Sequence, residues 1–166
     1  MRHTLSVLVQ NEAGVLARIS GLFSGRGFNI ESLTVAPTQD VDFSRVTLVT
    51  TGDDTIIEQI TKQLNKLINV IKVIDITGEN VVDRELILVK VTAKDKERSE
   101  ILRIAELFDA KVVDISAKTY TLEAMGDESK IKSLLELLKP IGIKELVRSG
   151  KVAISKEAQL VAKNGK

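Results

Sequence analysis

The chain lacks cysteine and tryptophan altogether, and its 166 residues include only one histidine, one tyrosine and two prolines. Without cysteine there is no disulfide framework, no thiolate nucleophile and none of the commonest zinc or iron–sulfur ligand sets. The single histidine, His3, is interpreted as a polar strand-end residue, because metal sites need several converging ligands. We therefore expect no metal site and no catalytic residue in this chain.

Neither a dominant charge nor a long apolar run is present. The formal net charge is +1, with 24 basic and 23 acidic residues interspersed, so no extended field is available to hold a polyanion. No stretch approaches the roughly 18 uninterrupted apolar residues of a membrane helix. The first ten residues alternate like a strand and lack the basic start and apolar run of a secretory signal. These absences predict a cytoplasmic protein that binds neither nucleic acid nor membrane.

The first 77 residues switch between two-residue and helical periodicity in a regular order. Two-residue alternation predicts four strands, at 3–9, 28–36, 44–50 and 70–76. Helical spacing predicts one helix from Gly14 to Gly25-Arg26-Gly27 and a second that opens at Thr55, which has capping-box spacing with Glu58. The expected buried stripes are Val15, Leu16, Ile19, Leu22, Phe23 and Ile56, Ile60, Leu64, Leu67, Ile68.

The same order of elements recurs after a short linker at 78–83. Strands are predicted at 84–92, 111–117, 119–125 and 143–149, and helices at 97–109 and 128–139. The helical stripes are Ile101, Ile104, Ala105, Phe108 and Ile131, Leu134, Leu135, Leu138. The predicted domains are therefore 1–77 and 84–158, followed by a polar tail at 159–166 that is expected to fray.

Two βαββαβ units in series make the predicted fold class α+β, with both helices of each unit on one face of an antiparallel sheet. Units of roughly 60 to 80 residues are at the lower edge of independent folding, so the other sheet face also needs a cover. Dimerisation is the economical way to provide that cover. We therefore expect a homodimer.

The loop from Gln10 to Gly14 joins the first strand to the first helix and is the candidate binding site. Backbone N–H groups of Gly14, Val15 and Leu16 lie at the positive end of the helix, where they favour an anion. Asn11 adds an amide whose oxygen accepts from an ammonium and whose nitrogen donates to a carboxylate, the two charges of an amino acid. A turn-forming, helix-capping Asn11 is nevertheless the commoner explanation of such a pattern.

Other polar positions give weaker signals. Asn29 begins a strand although asparagine is a poor strand former, which fits either a functional position or a turn. The glycines at 21, 25 and 27 do not have the Gly-x-Gly-x-x-Gly spacing of a dinucleotide site. Asp53 and Asp54 stand at a helix start, where capping accounts for them. No acid–base constellation is left to support catalysis.

A resemblance to a known family rests on five segments and a pair of leucines. These are NEAGVLAR at 11–18, GLF at 21–23, RGFNIESLTV at 26–35, RELILVKV at 84–91, SG at 149–150, and leucines at 64 and 67. Together they resemble the regulatory small subunits of acetolactate synthase, with their ACT domain, over nearly the whole chain. Ala13 departs from the family pattern, which often has proline before the glycine.

The resemblance implies a ferredoxin-like fold in which two ACT domains dimerise side by side, so that two sheets become one. It implies a non-catalytic subunit of branched-chain amino acid biosynthesis that binds valine between protomers. That subunit stimulates a large catalytic subunit and confers feedback inhibition on it. The thiamine diphosphate, magnesium and FAD of this transferase belong to the catalytic partner. The residues implied for valine are Asn11, Gly14, Val15 and Leu16 of one chain and Asn29 and Ile30 of the other.

Three other protein classes share this topology. An acylphosphatase binds phosphate in the first loop beside an arginine, but Arg18 lies a full helical turn beyond Gly14 and the duplicated chain is too long. An RNA-recognition module needs exposed aromatics on its sheet, whereas the few aromatics here are placed mostly for the core. An ACT-domain amino-acid sensor that regulates another pathway is the main alternative.

Overall fold

The structure, a computed structural model, describes residues 1–78 and 80–156 as two βαββαβ units followed by a short strand. The first unit contains β1 (Arg2–Gln10), α1 (Val15–Gly25), β2 (Ile30–Pro37), β3 (Phe43–Thr51), α2 (Asp54–Leu64) and β4 (Val70–Asp75). The second contains β5 (Val81–Thr92), α3 (Arg98–Leu107), β6 (Lys111–Ile115), β7 (Thr119–Gly126), α4 (Glu128–Leu138) and β8 (Ile143–Arg148). The strand β9 (Val152–Ser155) was not predicted.

Each unit has one antiparallel sheet with the same strand order. The first sheet runs β2-β3-β1-β4, and the second runs β6-β7-β5-β8 with β9 also paired to β5. In both, the first and last strands of the unit are neighbours and the second strand is at an edge, which is the ferredoxin-like arrangement. The predicted fold class is confirmed. Among the helices of the described residues, none has the length and apolar character needed to span a membrane.

The core of each unit lies between its two helices and one face of its sheet. In the first unit this face carries Leu5, Val7 and Val9, as the alternation predicted. The second core has the same construction. The helical residues buried in the two cores are Val15, Ile19, Phe23, Ile57, Ile60, Leu64 and Ile101, Ile104, Ala105, Ile131, Leu134, Leu138.

The second helix differs from its predicted limits at both ends. Its N-cap is Asp53, whose carboxylate accepts from the N–H of Ile56 at 2.9 Å, so the predicted capping box at Thr55 is wrong. The helix ends at Leu64, and Ile68, predicted to be buried, lies beyond it and is 93% exposed. Ile57 is buried where Ile56 was expected. The helix thus starts and ends earlier than predicted. The predicted stripe ran too far because apolar residues at helical spacing continue past Leu64.

The second face of the first sheet is covered within the single chain. Leu8 and Val49 point away from the helices and are only 8% and 0% exposed. The backbone of Lys151 lies against this sheet: its N–H donates to Ser32 Oγ at 3.1 Å, and its carbonyl accepts from Thr34 Oγ1 at 2.8 Å. At these residues the cover comes from the chain itself, and the expected homodimer stays a prediction.

Contacts divide the chain at different positions from those predicted. Among the described residues, the first unit takes in those of Met1–Val82 together with Lys151–Lys156, and the second is Asp83–Gly150. The predicted second domain, 84–158, included Lys151–Lys156, which the structure groups with the first unit. The tail predicted at 159–166 lies outside the described residues.

Candidate functional site

The loop between β1 and α1 ends at Gly14, which occupies the N-cap of α1 with φ +86° and ψ −6°. This left-handed conformation is one that glycine adopts without strain. Gly14 has no side chain to cap the helix, and a Cβ added there would have no neighbour within 4 Å. The start of α1 is therefore open on the side of Gly14.

The N–H groups of the first turn are the chemically distinctive feature of this opening. The N–H of Val15 donates to the carbonyl of Glu12 at 3.4 Å, a long bond. Those of Gly14, Leu16 and Ala17 have no acceptor within the described ranges 1–78 and 80–156. Free N–H groups at a helix N-terminus attract an anion such as a carboxylate. Ala17, which sequence reasoning missed, offers a free N–H, whereas the N–H of Val15 is partly used by Glu12.

Asn11 is held against the turn between β2 and β3. Its backbone N–H donates to the carbonyl of Asp42 at 2.7 Å, and its side-chain Nδ2 donates to the carbonyl of Val41 at 2.8 Å. One of the two N–H groups of the amide therefore donates within the protein, which leaves the other for the ligand carboxylate that the sequence suggested. The Oδ1 atom is left as an acceptor that suits an ammonium.

The apolar surroundings of the loop fit a small aliphatic group. The side chain of Leu16 is 43% exposed although it belongs to the first helical turn. It was predicted to be in the core, but the core takes Val15 and Ile19 from this face of α1. An exposed leucine beside polar donors and an amide oxygen provides the contacts that an aliphatic amino acid needs.

Asn29 and Ile30 lie at the other end of the same sheet. Ile30 is opposite Thr50 in the sheet register, and the carbonyl of Asn29 accepts from Thr50 Oγ1 at 2.6 Å. Thr50 is also opposite His3 at the start of β1, whereas the candidate loop follows the end of β1. One chain therefore does not bring its own Asn29 and Asn11 together. The side chain of Asn29 is exposed, and Ile30 is half-buried.

A buried residue beneath the loop was missed by sequence reasoning. Asn69, in the turn before β4, makes hydrogen bonds with Gln10, Glu12 and Arg18. Asn69 follows the exposed Ile68 in a stretch that the sequence assigned to a helix end, and only the tertiary contacts distinguish it. Arg18 is engaged by Asn69, which leaves its acylphosphatase interpretation without support.

His3 differs from its expected role as an ordinary strand-end residue. Its side chain is buried, and its Nδ1 lies 3.1 Å from Asp75 Oδ2. It lines an open groove of about 440 Å³ against α2, together with Asp54, Ile57, Glu58, Thr61, Lys62 and Asp75. Within the described ranges, no group of three or more histidine and carboxylate side chains is arranged to hold a metal.

Comparisons with known proteins cover both units. One family model, described as the AHAS small subunit-like ACT domain, matches residues 5–72. Another, described as the small subunit of acetolactate synthase, matches residues 84–157. The probable acetolactate synthase small subunit of Archaeoglobus fulgidus is 52% identical over 154 residues, which are 93% of this chain and 96% of the relative. That of Aquifex aeolicus is 51% identical over 160 residues, 96% of this chain and 83% of the relative.

A solved structure agrees with these relatives. The crystal structure of the acetolactate synthase small subunit from Thermotoga maritima matches with a TM-score of 0.83 at 38% sequence identity. The match covers 93% of this chain and 96% of the other. The similarity in fold and sequence therefore extends over both βαββαβ units.

Proposed function

This chain belongs to the family of acetolactate synthase small subunits, as its resemblance predicted, and we propose that it is a regulatory subunit that binds valine. Bound valine transmits feedback inhibition to a large catalytic subunit, which the small subunit otherwise stimulates. Thiamine diphosphate, magnesium and FAD are assigned to that catalytic partner, and this chain contributes no catalytic residue. Acetolactate formation is thus regulated by valine, an end product of the same pathway.

The observation that carries the ligand assignment is the chemistry of the β1–α1 loop. The free N–H groups of Gly14, Leu16 and Ala17 suit a carboxylate, and Asn11 Oδ1 suits an ammonium. The two groups are held on one loop, as the two charges of an α-amino acid require. The exposed side chain of Leu16 supplies contact for an aliphatic side chain. Valine meets all three requirements.

The sheet topology supports a site shared between two chains. β2 is an edge strand, and a second copy that pairs with it in antiparallel fashion places the Ile30 end of one strand beside the Pro37 end of the other. The Pro37 end leads into the turn that holds Asn11 through Val41 and Asp42. Asn29 and Ile30 of the partner would then approach the loop, and the dimer would contain two equivalent valine sites.

A ligand bound in this position would act by linkage. Valine favours one arrangement of the two chains only to the extent that it binds that arrangement more tightly, typically by roughly 1 to 3 kcal/mol. The catalytic subunit senses that arrangement. An ACT-domain sensor of another pathway would share the first unit, but the family match at residues 84–157 favours the small subunit.

The test uses the full chain and the catalytic subunit from the same organism. Calorimetric titration should show valine binding at one site per chain, with leucine and isoleucine compared in parallel. Adding the chain to the catalytic subunit should raise acetolactate formation and make it sensitive to valine. If the mixture shows neither stimulation nor valine sensitivity, the regulatory assignment is wrong. If valine inhibits without binding to this chain, the ligand site belongs to the partner.

A further inference from the structure

Asn69 is a buried polar residue whose carboxamide is surrounded by partners from the ligand loop and its flanks. The residue lies between α2 and β4 and is 7% exposed. A buried carboxamide is costly unless its two N–H groups and its oxygen find partners. The partners that Asn69 has found therefore indicate what it holds in place.

Its hydrogen bonds reach both sides of the loop. Nδ2 donates to Gln10 Oε1 at 2.9 Å and to Glu12 Oε2 at 2.8 Å, and Oδ1 accepts from the guanidinium of Arg18. The backbone carbonyl of Asn69 also accepts from the N–H of Gln10 at 2.8 Å. Gln10 ends β1, Glu12 lies within the loop, and Arg18 is near the start of α1. One side chain thus connects the strand, the loop and the helix.

We propose that Asn69 is a positioning residue for valine, because its carboxamide joins Gln10, Glu12 and Arg18 and so fixes Asn11 and Gly14 in the geometry that receives the ligand. The proposal rests on the valine site assigned above. Asn69 contacts the loop from beneath and does not touch the ligand.

The position of Glu12 gives this contact a direct consequence for an anion site. Glu12 is two residues before Gly14, so its carboxylate is close in sequence to the positive end of α1. A carboxylate free to turn toward that end would compete with the ligand carboxylate for the same N–H groups. The bond from Asn69 Nδ2 keeps Glu12 Oε2 directed toward Asn69. Asn69 therefore keeps the N–H groups available as well as fixing the backbone.

Only a carboxamide of this size matches these partners. Both N–H groups are donated to oxygens, while the carboxamide oxygen accepts from a cation. An aspartate at this position keeps the pairing with Arg18 but replaces the two donors with an oxygen. That oxygen would face the carboxylate of Glu12, and repulsion would push the loop outward.

The experiment measures valine affinity of the full chain carrying Asn69→Asp, together with its melting temperature and oligomeric state. We expect valine binding to weaken about tenfold or more, because the hydrogen bonds to Gln10 and Glu12 are lost and the new carboxylate repels that of Glu12. The matched control is Asn65→Asp, the same chemical change at the exposed C-cap of α2, which should leave affinity unchanged. Equal affinity of Asn69→Asp and wild type would overturn the proposal.

A rescue separates positioning from a general loss of stability. The double variant Asn69→Asp/Glu12→Gln exchanges carboxylate and carboxamide, so that the carboxamide now at position 12 donates to the carboxylate now at position 69. Its valine affinity should return to within about threefold of wild type. Glu12→Gln alone keeps a side-chain oxygen that accepts from Asn69, and it is the single-variant reference for the rescue. Weakened binding without rescue would mean that Asn69 is merely structural.

The remaining outcomes are also decisive. If Asn69→Asp does not fold, Glu12→Leu takes its place, because Glu12 is exposed and the change removes one of the two acceptors of Asn69 Nδ2. Glu12→Leu should weaken valine binding at least about threefold, and unchanged affinity would overturn the proposal. Wild-type chain that binds no branched-chain amino acid would instead refute the proposed valine site, which distinguishes the two failures.

Discussion

Asn29 and Gly14 lie at opposite ends of one sheet. Asn29 is bonded to Thr50 near the end of β3, and the loop that contains Gly14 follows Gln10, which is opposite Phe43 at the start of β3. The stretch of strand from Phe43 to Thr50 spans about 23 Å. A ligand as small as an amino acid cannot contact both residues of one chain, so a site that uses both must combine two chains.

Mixing two variants that bind valine weakly, Gly14→Asp and Asn29→Ala, should therefore restore valine binding. In a dimer of Gly14→Asp and Asn29→Ala chains, one site carries both changes and the other carries neither. When equal amounts are unfolded and refolded together, about a quarter of all sites should be intact if chains pair at random. Calorimetry on the mixture should recover that fraction of wild-type stoichiometry with wild-type affinity.

A site within a single chain gives a different result. Each chain of the mixed dimer would then carry one damaging change, and no intact site could form. Asn29→Ala is suited to the experiment because the bond to Thr50 Oγ1 uses the backbone carbonyl of Asn29, which the substitution keeps. No recovery of valine binding on mixing would contradict the shared site.

Gly14→Asp should reduce valine affinity about ten- to a hundredfold, because its carboxylate occupies the N–H groups that receive the ligand. The positive φ at Gly14 means that the substitution also strains the backbone. Gly14→Asn is the matched control, since asparagine imposes nearly the same backbone cost without the charge. Similar losses in the two variants would attribute the effect to strain rather than to charge.

Thr34→Val should lower the melting temperature of the full chain. The substitution keeps the shape of the side chain but removes the hydroxyl that donates to the carbonyl of Lys151 at 2.8 Å. Loss of such a bond costs about 1 kcal/mol. Thr121→Val, the same change in a strand of the second unit, is the control. An equal melting temperature for Thr34→Val and wild type would show that the Lys151 contact contributes nothing to stability.

Glu31 should make stability depend on pH in the acidic range. The hydrogen bond from the Thr51 hydroxyl has the largest effect on the pKa of the Glu31 carboxyl and lowers it below its usual value. Burial opposes this effect, and the hydrogen bond and charge of Arg2 lower the pKa further. The resulting stabilisation is present above the carboxyl pKa of the unfolded chain and is lost as the pH falls through the lowered pKa of the folded chain. Since the Glu31–Arg2 pair is largely solvated, it contributes at most about 1 kcal/mol to the free energy of unfolding.

Glu31→Gln is accordingly expected to melt slightly below wild type at neutral pH, with the difference closing below about pH 4. Glu136→Gln, the same change at an exposed position of α4, serves as a control. Denaturant titrations at several pH values would measure both. A difference for Glu31→Gln that grows toward low pH would contradict the direction of the pKa shift.

Local sequence patterns were enough to predict the order of the elements from β1 to β8, the helix-facing core and the family, but not the strand β9. Two local patterns show this: the alternation at Leu5, Val7 and Val9, and the helical spacing at Ile101 and Ile104. Each pattern arises because one face of a strand or helix is buried, so neighbouring residues alone reveal it. The loop from residue 11 to residue 14 was also visible, because a glycine at a strand-to-helix junction is a local signal. The limits of α2 were less well predicted, since the apolar pattern continues past its last turn.

Which polar groups are free and which are used became clear only from the packed chain. The bond from Asn11 Nδ2 to Val41 and those of Asn69 with Gln10, Glu12 and Arg18 join residues that are 30 or more positions apart. No periodic pattern encodes such pairs. The return of Lys151 to Ser32 and Thr34 is likewise a contact across more than 100 positions. Hydrogen-bond partners at these separations are fixed by how the sheet and helices pack, which local sequence does not specify.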